Sequence, residues 1–316
     1  MHPVDRAAGL LYRHGPASWR MFTDGWGDET LIDRLQVAEA PPPESITIDW
    51  RESPRRDGIV VRDGAFVSPA EHLPEWSRVA RVRLVAPVAP NGRLVVLMAA
   101  WNDHDWDTRS GLADRLAAGG VTSVMLENPY FGHRRPVEGR AIGSVADFAV
   151  MGHATVHEGR ALVAHFADTH QVGVAGYSMG GNMAAFVGAL SDRPVAIAPL
   201  AASHSPAPVW LDGIARVVID WEALGGTERE ARLRATMARV SVLAIPPPPH
   251  TAAAVIVGSR RDGYIPASAV EALHAHWPGS ELRWLRGGHA TMIWYRKDAL
   301  ADAIVAAFDR TFGPVM

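Results

Sequence analysis

Apolar residues along the chain form short unbroken or alternating runs, and these runs predict β-strands. Residues 93–100 are almost continuously apolar, which is typical of a strand buried on both faces of a parallel sheet. Residues 46–50 and 80–85 alternate between apolar and polar, as strands with one solvent-facing side do. The predicted strands are residues 46–50, 80–85, 93–100, 121–126, 172–175, 195–200, 251–258 and 282–285.

Segments with helical spacing of apolar residues lie between most of these strands. The helix at 110–118 should end at Gly119 and Gly120, because glycine is the residue most common just after the end of a helix. The predicted helices are one or two within residues 1–45, then 110–118, 144–167, 181–186, 267–276 and 292–312. Strands that alternate with helices indicate the α/β class, with a doubly wound, mostly parallel sheet.

Residues 204–245 also have helical spacing, with several apolar residues that look exposed, among them Trp210 and Trp221. We expect a small helical cap here, whose apolar residues pack on the core or contact an acyl chain. Such caps exclude water and set specificity. The predicted division is an N-terminal helical segment at 1–45, an α/β core at 46–203 and 250–316, and a cap insertion at 204–249.

The segment VGVAGYSMGGNMAAF at residues 172–186 joins a buried strand to a helix through the pattern Gly-x-Ser-x-Gly. This order of elements is typical of a nucleophile elbow. A serine at the tip of so tight a turn has a strained backbone. Gly176 and Gly180 remove side chains that would collide with the neighbouring strand and helix. The turn would lift the Ser178 hydroxyl clear of the sheet, next to the amides of a helix N-terminus.

A serine hydroxyl needs a base to take its proton, and the base needs a third group to orient it. Asp262 follows the predicted strand at 251–258, and His289 follows the predicted strand at 282–285. Both should lie beyond strand ends, where α/β sheets bind ligands, and in the order that this arrangement requires. Alone, either residue could be a turn or capping residue. Together with Ser178 they are predicted to form a catalytic triad.

Three segments carry a resemblance to a known family: ENPYFG at residues 127–132, SVADFAVMG at 144–152 and GYSMGGNM at 176–183. Residues 80–310 resemble the α/β-hydrolase superfamily, and these three segments are more narrowly similar to alpha/beta hydrolase domain-containing protein 18. The resemblance implies a serine hydrolase of carboxylic esters, which could include lipid acyl esters. The three segments do not identify the substrate.

The resemblance also implies an oxyanion hole, which needs two N–H donors. One should be Met179, the residue after the nucleophile. The other should come from the loop AWNDH at residues 100–104, where the family has Gly-x-Gly before Asp-His. Ala100 is small enough for a close backbone approach, and Asn102 tolerates positive φ. The Trp101 N–H is therefore the predicted second donor, although its ring could also be a plain packing aromatic.

The loops at the carboxyl ends of the strands should line the pocket. His104, Tyr130 and His133 lie in such loops, and each could instead serve loop structure. Arg134 and Arg135 could bind an anionic group of a substrate, but a pair of solvated arginines is the favoured interpretation. The predicted pocket residues are Asn102, His104, Tyr130 and Tyr177.

Other candidates favour structural roles. His153 and His157 are four residues apart on one predicted helix, which is a spacing of metal ligands. No third ligand is placed nearby, so a half-buried helix face explains them better and no metal site is expected. Asp147 should be a charge favoured near a helix N-terminus, and Trp106 should be a packing aromatic.

Composition excludes several function classes. The net charge is −3 over 316 residues, so no basic surface for nucleic acid is expected. The absence of cysteine excludes disulfides, thiolate metal sites and a cysteine nucleophile. The longest apolar run, residues 94–101, is far shorter than a membrane span, and the N-terminus lacks the apolar core of a signal peptide. We expect a cytoplasmic protein without a transmembrane segment.

The sequence therefore predicts a serine hydrolase that cleaves a carboxylic ester through an acyl-enzyme on Ser178, without cofactor or metal. The substrate would be a small-molecule or lipid ester. An acyltransferase or a peptidase on the same triad remains open, and so does a non-catalytic binding module with a hydrolase-like fold. The presence of all three triad residue types argues against the last of these. The oligomeric state stays open.

Overall fold

The computed structural model describes residues 1–16, 19–35, 41–52, 58–138 and 141–315. Within these ranges the strands form one nine-stranded sheet. They are β1 Asp49–Glu52, β2 Ile59–Val67, β3 Val79–Pro87, β4 Arg93–Met98, β5 Thr122–Leu126, β6 Gln171–Tyr177, β7 Ala196–Leu200, β8 Val255–Gly258 and β9 Glu281–Trp284. Their order in the sheet is β1-β2-β3-β5-β4-β6-β7-β8-β9.

The described residues also form helices. They are α1 Pro3–His14, α2 Glu29–Arg34, α3 Asp107–Ala118, α4 Val145–Phe166, α5 Met179–Ala189, α6 Glu230–Arg239, α7 Ala267–His276, α8 His289–Tyr295 and α9 Lys297–Phe312. Of these helices, α3, α4, α5, α7 and α9 pack against the strands. Apolar residues of the sheet contribute to two core clusters, in which alternate residues of β4 such as Val96 and Leu97 fall into different clusters. This alternation is the reason that the central strands are apolar throughout.

The sheet is mostly parallel, which confirms the predicted fold class. All neighbouring pairs from β5 through β4, β6, β7 and β8 to β9 are parallel. Within the described ranges, the pairs β1–β2, β2–β3 and β3–β5 are antiparallel. The carboxyl ends of β4 to β9 therefore meet at one edge, where the predicted site residues lie.

Strand β2 was missed by the sequence analysis, which placed nothing regular between residues 50 and 80. Asp63 and Gly64 in its middle resemble a turn, and that signal hides the strand. Gly64 is instead opposite Trp50 on β1, and a Cβ there would come within 2.7 Å of the Trp50 ring. The predicted edge strand at 46–50 is also shifted, because β1 begins at Asp49.

Two predicted elements near the C-terminus are divided differently. The single helix predicted at 292–312 is two helices, α8 and α9, which meet at Arg296. The strand predicted at 251–258 is shorter, because Pro249–Ala253 forms a 3-10 turn before β8 begins. The first of these corrections places His289 at the start of a helix rather than in an open loop.

Residues 204–245 pack against the N-terminal part of the chain. The Met21 amide donates to the Val218 carbonyl at 2.7 Å, and the Met21 carbonyl accepts from the Asp220 amide at 2.9 Å. Trp210, which looks exposed in the sequence, is only 8% exposed and belongs to a third apolar cluster shared by these two segments. Among the described residues, none of the helices has the length and apolar character that a bilayer crossing needs.

Candidate active site

Ser178 lies at the tip of the turn between β6 and α5. Its backbone has φ 59° and ψ −120°, a strained conformation for a residue with a side chain. A Cβ at Gly176 would overlap the Gly180 backbone, and a Cβ at Gly180 would overlap the Met98 carbonyl. The two glycines therefore allow this turn to sit directly against the end of β4.

The structure brings Ser178, His289 and Asp262 into one hydrogen-bonded chain. Nε2 of His289 is 2.8 Å from Oγ of Ser178, and Nδ1 of the same ring is 2.7 Å from Oδ2 of Asp262. The Asp262 side chain is only 2% exposed. A buried carboxylate at Nδ1 favours a proton on that nitrogen, which leaves Nε2 free to accept one from the serine.

Asp262 and His289 are each held by their neighbours. Oδ1 of Asp262 accepts from the amides of Tyr264 and Ile265 at 2.8 and 2.9 Å, so this residue orders its turn as well as facing the histidine. The Tyr177 hydroxyl donates to the His289 carbonyl at 2.5 Å. The rings of Tyr177 and Tyr264 both flank the His289 imidazole. Burial raises the pKa of both tyrosines. The Tyr177 hydroxyl therefore keeps the proton that it donates.

The sequence analysis missed Asp5, which lies at the N-terminal end of α1 and is 0% exposed. Its Oδ2 accepts from the amides of Gly263 and His289 at 2.9 and 2.7 Å. Its Oδ1 accepts from the Ala290 amide at 3.3 Å. An acidic residue in the first turn of a helix is a common pattern, so no local signal distinguishes this aspartate.

The two predicted oxyanion donors, Met179 and Trp101, line the same cavity as Ser178. Met179 is the first residue of α5, so its amide is one of those that a helix leaves without an internal acceptor. Asn102 has φ 63°, as its side chain permits. The side-chain Nδ2 of Asn128 donates to the carbonyls of Ala99 and Ala100 at 3.2 and 3.4 Å, which joins this loop to the one after β5.

The cavity that Ser178 lines has a volume of about 870 Å³. His289 lines it too, and so do all four predicted pocket residues, Asn102, His104, Tyr130 and Tyr177. Aromatic rings form much of its wall. The Trp101 ring lies 5.3 Å from Phe131 and 5.2 Å from Trp210, centroid to centroid. The Trp101 side chain therefore packs in this wall, while its backbone belongs to the loop beside Ser178.

The prediction of a solvated arginine pair was wrong for Arg134. That side chain is 1% exposed and donates to both oxygens of Glu158, at 2.7 and 2.6 Å. The buried carboxylate on α4 holds the guanidinium inside. Arg135 is exposed and lines the cavity, whereas His133 does not line it and pairs with Glu127 at 3.0 Å.

Asp147, His153, His157 and Trp106 make the following contacts. Oδ2 of Asp147 accepts from the Ser144 amide at 2.9 Å and completes a capping box at the start of α4. The rings of His153 and His157 stack at 4.1 Å on a half-buried face. Trp106 lies beneath the guanidinium of Arg109, at 5.5 Å. Among the described residues, no three His, Asp or Glu side chains are arranged to hold a metal.

Known structures share this fold. The chain is similar to acetyl xylan esterase 1 from Thermoanaerobacterium sp. JW/SL YS485, at 18% identity and a TM-score of 0.58 over 94% of this chain and 98% of that one. An acetyl xylan esterase from Paenibacillus sp. R4 matches at 12% identity and a TM-score of 0.60, over 93% and 98%. An S-formylglutathione hydrolase from Agrobacterium tumefaciens matches at 13% identity and 0.53, over 85% and 100%.

The sequence itself matches one family model over most of its length. That model is described as alpha/beta hydrolase domain containing 18, and it covers residues 19–245 and 225–310. The motif segments that suggested the resemblance and all three residues of the hydrogen-bonded chain lie within these ranges. The chain therefore belongs to the family of alpha/beta hydrolase domain containing 18.

Proposed function

We propose that this protein is a serine hydrolase that cleaves carboxylic esters through an acyl-enzyme on Ser178. One observation carries the proposal. The His289 imidazole lies 2.8 Å from the Ser178 hydroxyl and 2.7 Å from the buried Asp262 carboxylate. A serine, a base and an orienting acid in contact are the requirements for nucleophilic catalysis by a hydroxyl.

The reaction follows from this arrangement. Oγ of Ser178 attacks the ester carbonyl while Nε2 of His289 takes its proton. The resulting oxyanion would accept from the amides of Met179 and Trp101, each donor lowering the barrier by about 3–4 kcal/mol. The imidazolium then protonates the leaving alcohol. Water, activated by the same imidazole, attacks the acyl-enzyme and releases the acid, which restores the serine.

The cavity supports a substrate with a sizeable apolar acyl part. Its volume of about 870 Å³ exceeds the need of an acetyl group, and aromatic and aliphatic side chains line much of it. A lipid acyl ester is one such substrate. Within this proposal, residues 204–249 act as the cap and contribute Trp210 and Val209 to the cavity wall. The acetyl xylan esterases of similar fold support ester hydrolysis.

Turnover of p-nitrophenyl esters from acetate to palmitate tests the proposal. We expect hydrolysis that depends on Ser178, with kcat/KM rising from acetate to longer chains. The Ser178→Ala variant should lose it, whereas Ser191→Ala, just beyond the far end of α5, should keep it. An added alcohol that captures the acyl group at the expense of the free acid would instead indicate an acyltransferase. A folded wild-type protein that turns over none of these esters would contradict the proposal.

A further inference from the structure

We propose that Asp5 is a positioning residue for this site. Helix α1, which carries Asp5, would therefore contribute to the geometry of the active site. The inference rests on the proposed function for its kinetic consequence, but the positioning itself can be measured without turnover. Asp5 touches neither Ser178 nor the space that a substrate would occupy. It acts on the backbone of the two loops that carry Asp262 and His289.

The Asp5 carboxylate binds both loops at once. It accepts from the amide of Gly263, which directly follows Asp262, at 2.9 Å. It also accepts from the amides of His289 and Ala290, at 2.7 and 3.3 Å. Because each loop moves with its backbone, these bonds fix the distance between the Asp262 carboxylate and the imidazole.

The three groups that bond to Asp5 require a side chain that accepts hydrogen bonds and donates none. All three are N–H groups, and an ionised carboxylate offers acceptor sites only. Asp5 is 0% exposed, so loss of this side chain would leave the buried amides of Gly263 and His289, and the partly buried amide of Ala290, without this partner. An asparagine could satisfy two of them with its oxygen but would direct an NH₂ group towards the third.

Two glycines make room for this contact. A Cβ at Gly263 would lie 2.8 Å from the Asp5 Cβ, and a Cβ at Gly288 would lie 2.6 Å from Oδ2 of Asp5 and overlap His2. Neither glycine adopts a positive φ, so the turns themselves do not require them. The glycines on either side of the site thus serve the close approach of α1.

A second contact strengthens the attachment of α1. The His2 amide donates to the carbonyl of Arg261 at 2.7 Å, so two residues of the N-terminus bind the loop that carries Asp262. The backbone of one loop is also bound directly by the other, because the Ser259 hydroxyl donates to the Gly287 carbonyl at 2.6 Å. That bond lies on the strand side of the loops, whereas Asp5 holds the side that faces α1.

Kinetics of Asp5→Ala and Asp5→Asn test the consequence for catalysis. We expect kcat for a p-nitrophenyl ester to fall about 100-fold in Asp5→Ala and about 10-fold in Asp5→Asn, with KM nearly unchanged, because a small misplacement of a catalytic group costs this much. Gly263→Ala should reproduce the loss by displacing α1. The matched control is Gly9→Ala on the same helix, whose Cβ would make only an ordinary 3.5 Å contact with Ile214.

Proton NMR tests the positioning independently of turnover. The proton between Nδ1 of His289 and Asp262 should give a far-downfield resonance in the wild type, which Asp262→Asn removes. Asp5→Ala and Gly263→Ala should shift or broaden it, and Gly9→Ala should leave it in place. If no ester is hydrolysed but the resonance responds in this way, the proposed function fails and the positioning role stands.

An unchanged kcat together with an unchanged resonance, in folded Asp5→Asn and Gly263→Ala proteins, would overturn the inference. These two variants keep the test decisive if Asp5→Ala does not fold, because Asp5→Asn preserves the size and most of the bonding of the side chain.

Discussion

The floor and the roof of the cavity are built in different ways. The floor consists of the turn at Ser178 and the loops that carry Asp262 and His289, and backbone hydrogen bonds and glycine contacts fix it. The roof consists of residues 19–35 and 204–245, where two backbone hydrogen bonds of Met21 join the segments and packed apolar side chains form most of the contact. The floor therefore tolerates little displacement, whereas the roof can change its side chains and keep its form.

This difference separates two kinds of effect. Changes in the floor should alter kcat, because they move the groups that we propose to react. Changes in the roof should alter KM and the preference among acyl chains, because they change the surface that surrounds the bound substrate. Two variants of the floor and one of the roof test this separation.

Replacing the orienting acid should have the largest effect. In Asp262→Asn the side-chain oxygen can still accept from the amides of Tyr264 and Ile265, so the loop should keep its fold. The histidine loses the carboxylate that sets its tautomer, and kcat should fall about 10⁴-fold. Steady-state kinetics with a p-nitrophenyl ester measure this, with the exposed Asp298→Asn as control. A kcat within a factor of ten of the wild type would exclude Asp262 from the reaction.

Crowding the turn should come next. A Cβ at Gly180 would overlap the Met98 carbonyl, so Gly180→Ala should lower the free energy of unfolding by about 1–3 kcal/mol. We expect kcat to fall about 100-fold as well, since Ser178 moves with the turn. Urea unfolding provides the comparison with Gly152→Ala, where a Cβ meets nothing within 4 Å. That control should stabilise its helix, and equal stability losses in both variants would contradict the account.

A roof variant should act on binding alone. Trp210 lines the cavity and packs against Trp101 and Phe148, at 5.2 and 5.9 Å between ring centroids. In Trp210→Leu we expect KM to rise about 10-fold for long acyl chains, with little change for acetate and the same kcat. A loss of kcat that is equal for all chain lengths would show that roof and floor are not independent.

The smallest effect should be a loss of stability at acidic pH that depends on two histidines of α4. Burial and the charge of His157 lower the pKa of His153 to about 3, and burial lowers the pKa of His157 to about 4. Below about pH 6.5 the unfolded chain binds more protons at these residues than the folded one, so stability should be complete above that pH and fall towards pH 4.

The expected slope is at most about 1.4 kcal/mol per pH unit for each histidine, and less in practice because both rings are partly exposed. Urea unfolding between about pH 7 and pH 5 measures it. The double variant His153→Leu and His157→Leu should show a flatter profile than the wild type. An identical slope in both proteins would assign the acid sensitivity to other groups.

The three residues of the floor could be predicted because each follows a strand within a short local pattern. Ser178 lies between two glycines that a tight turn requires. Asp262 and His289 each follow a short run that forms a strand, and they come after Ser178 in the order acid, then base, that is typical of this fold. These signals span a few residues each. The same reasoning identified Asn102 as a residue suited to positive φ.

Contacts between distant parts of the chain could not be predicted. Asp5 and His289 are separated by 284 positions, and nothing around Asp5 distinguishes it from an ordinary helix-start residue. Arg134 is a similar case, because its contacts with Glu158 on α4 and with the Ser77 carbonyl, both distant along the chain, explain why it is buried. Strand β2 was missed because its local sequence is misleading. Asp63 and Gly64 resemble a turn, but the chain stays extended there and Gly64 packs against Trp50.

Covalent labelling with a fluorophosphonate probe, followed by mass spectrometry of the digested protein, tests whether Ser178 is the nucleophile. We predict one adduct per chain on the peptide that contains Ser178, none in Ser178→Ala, and much slower labelling in Asp262→Asn. A folded wild-type protein that acquires no adduct, or acquires it on another serine, would contradict the assignment of Ser178 as the nucleophile.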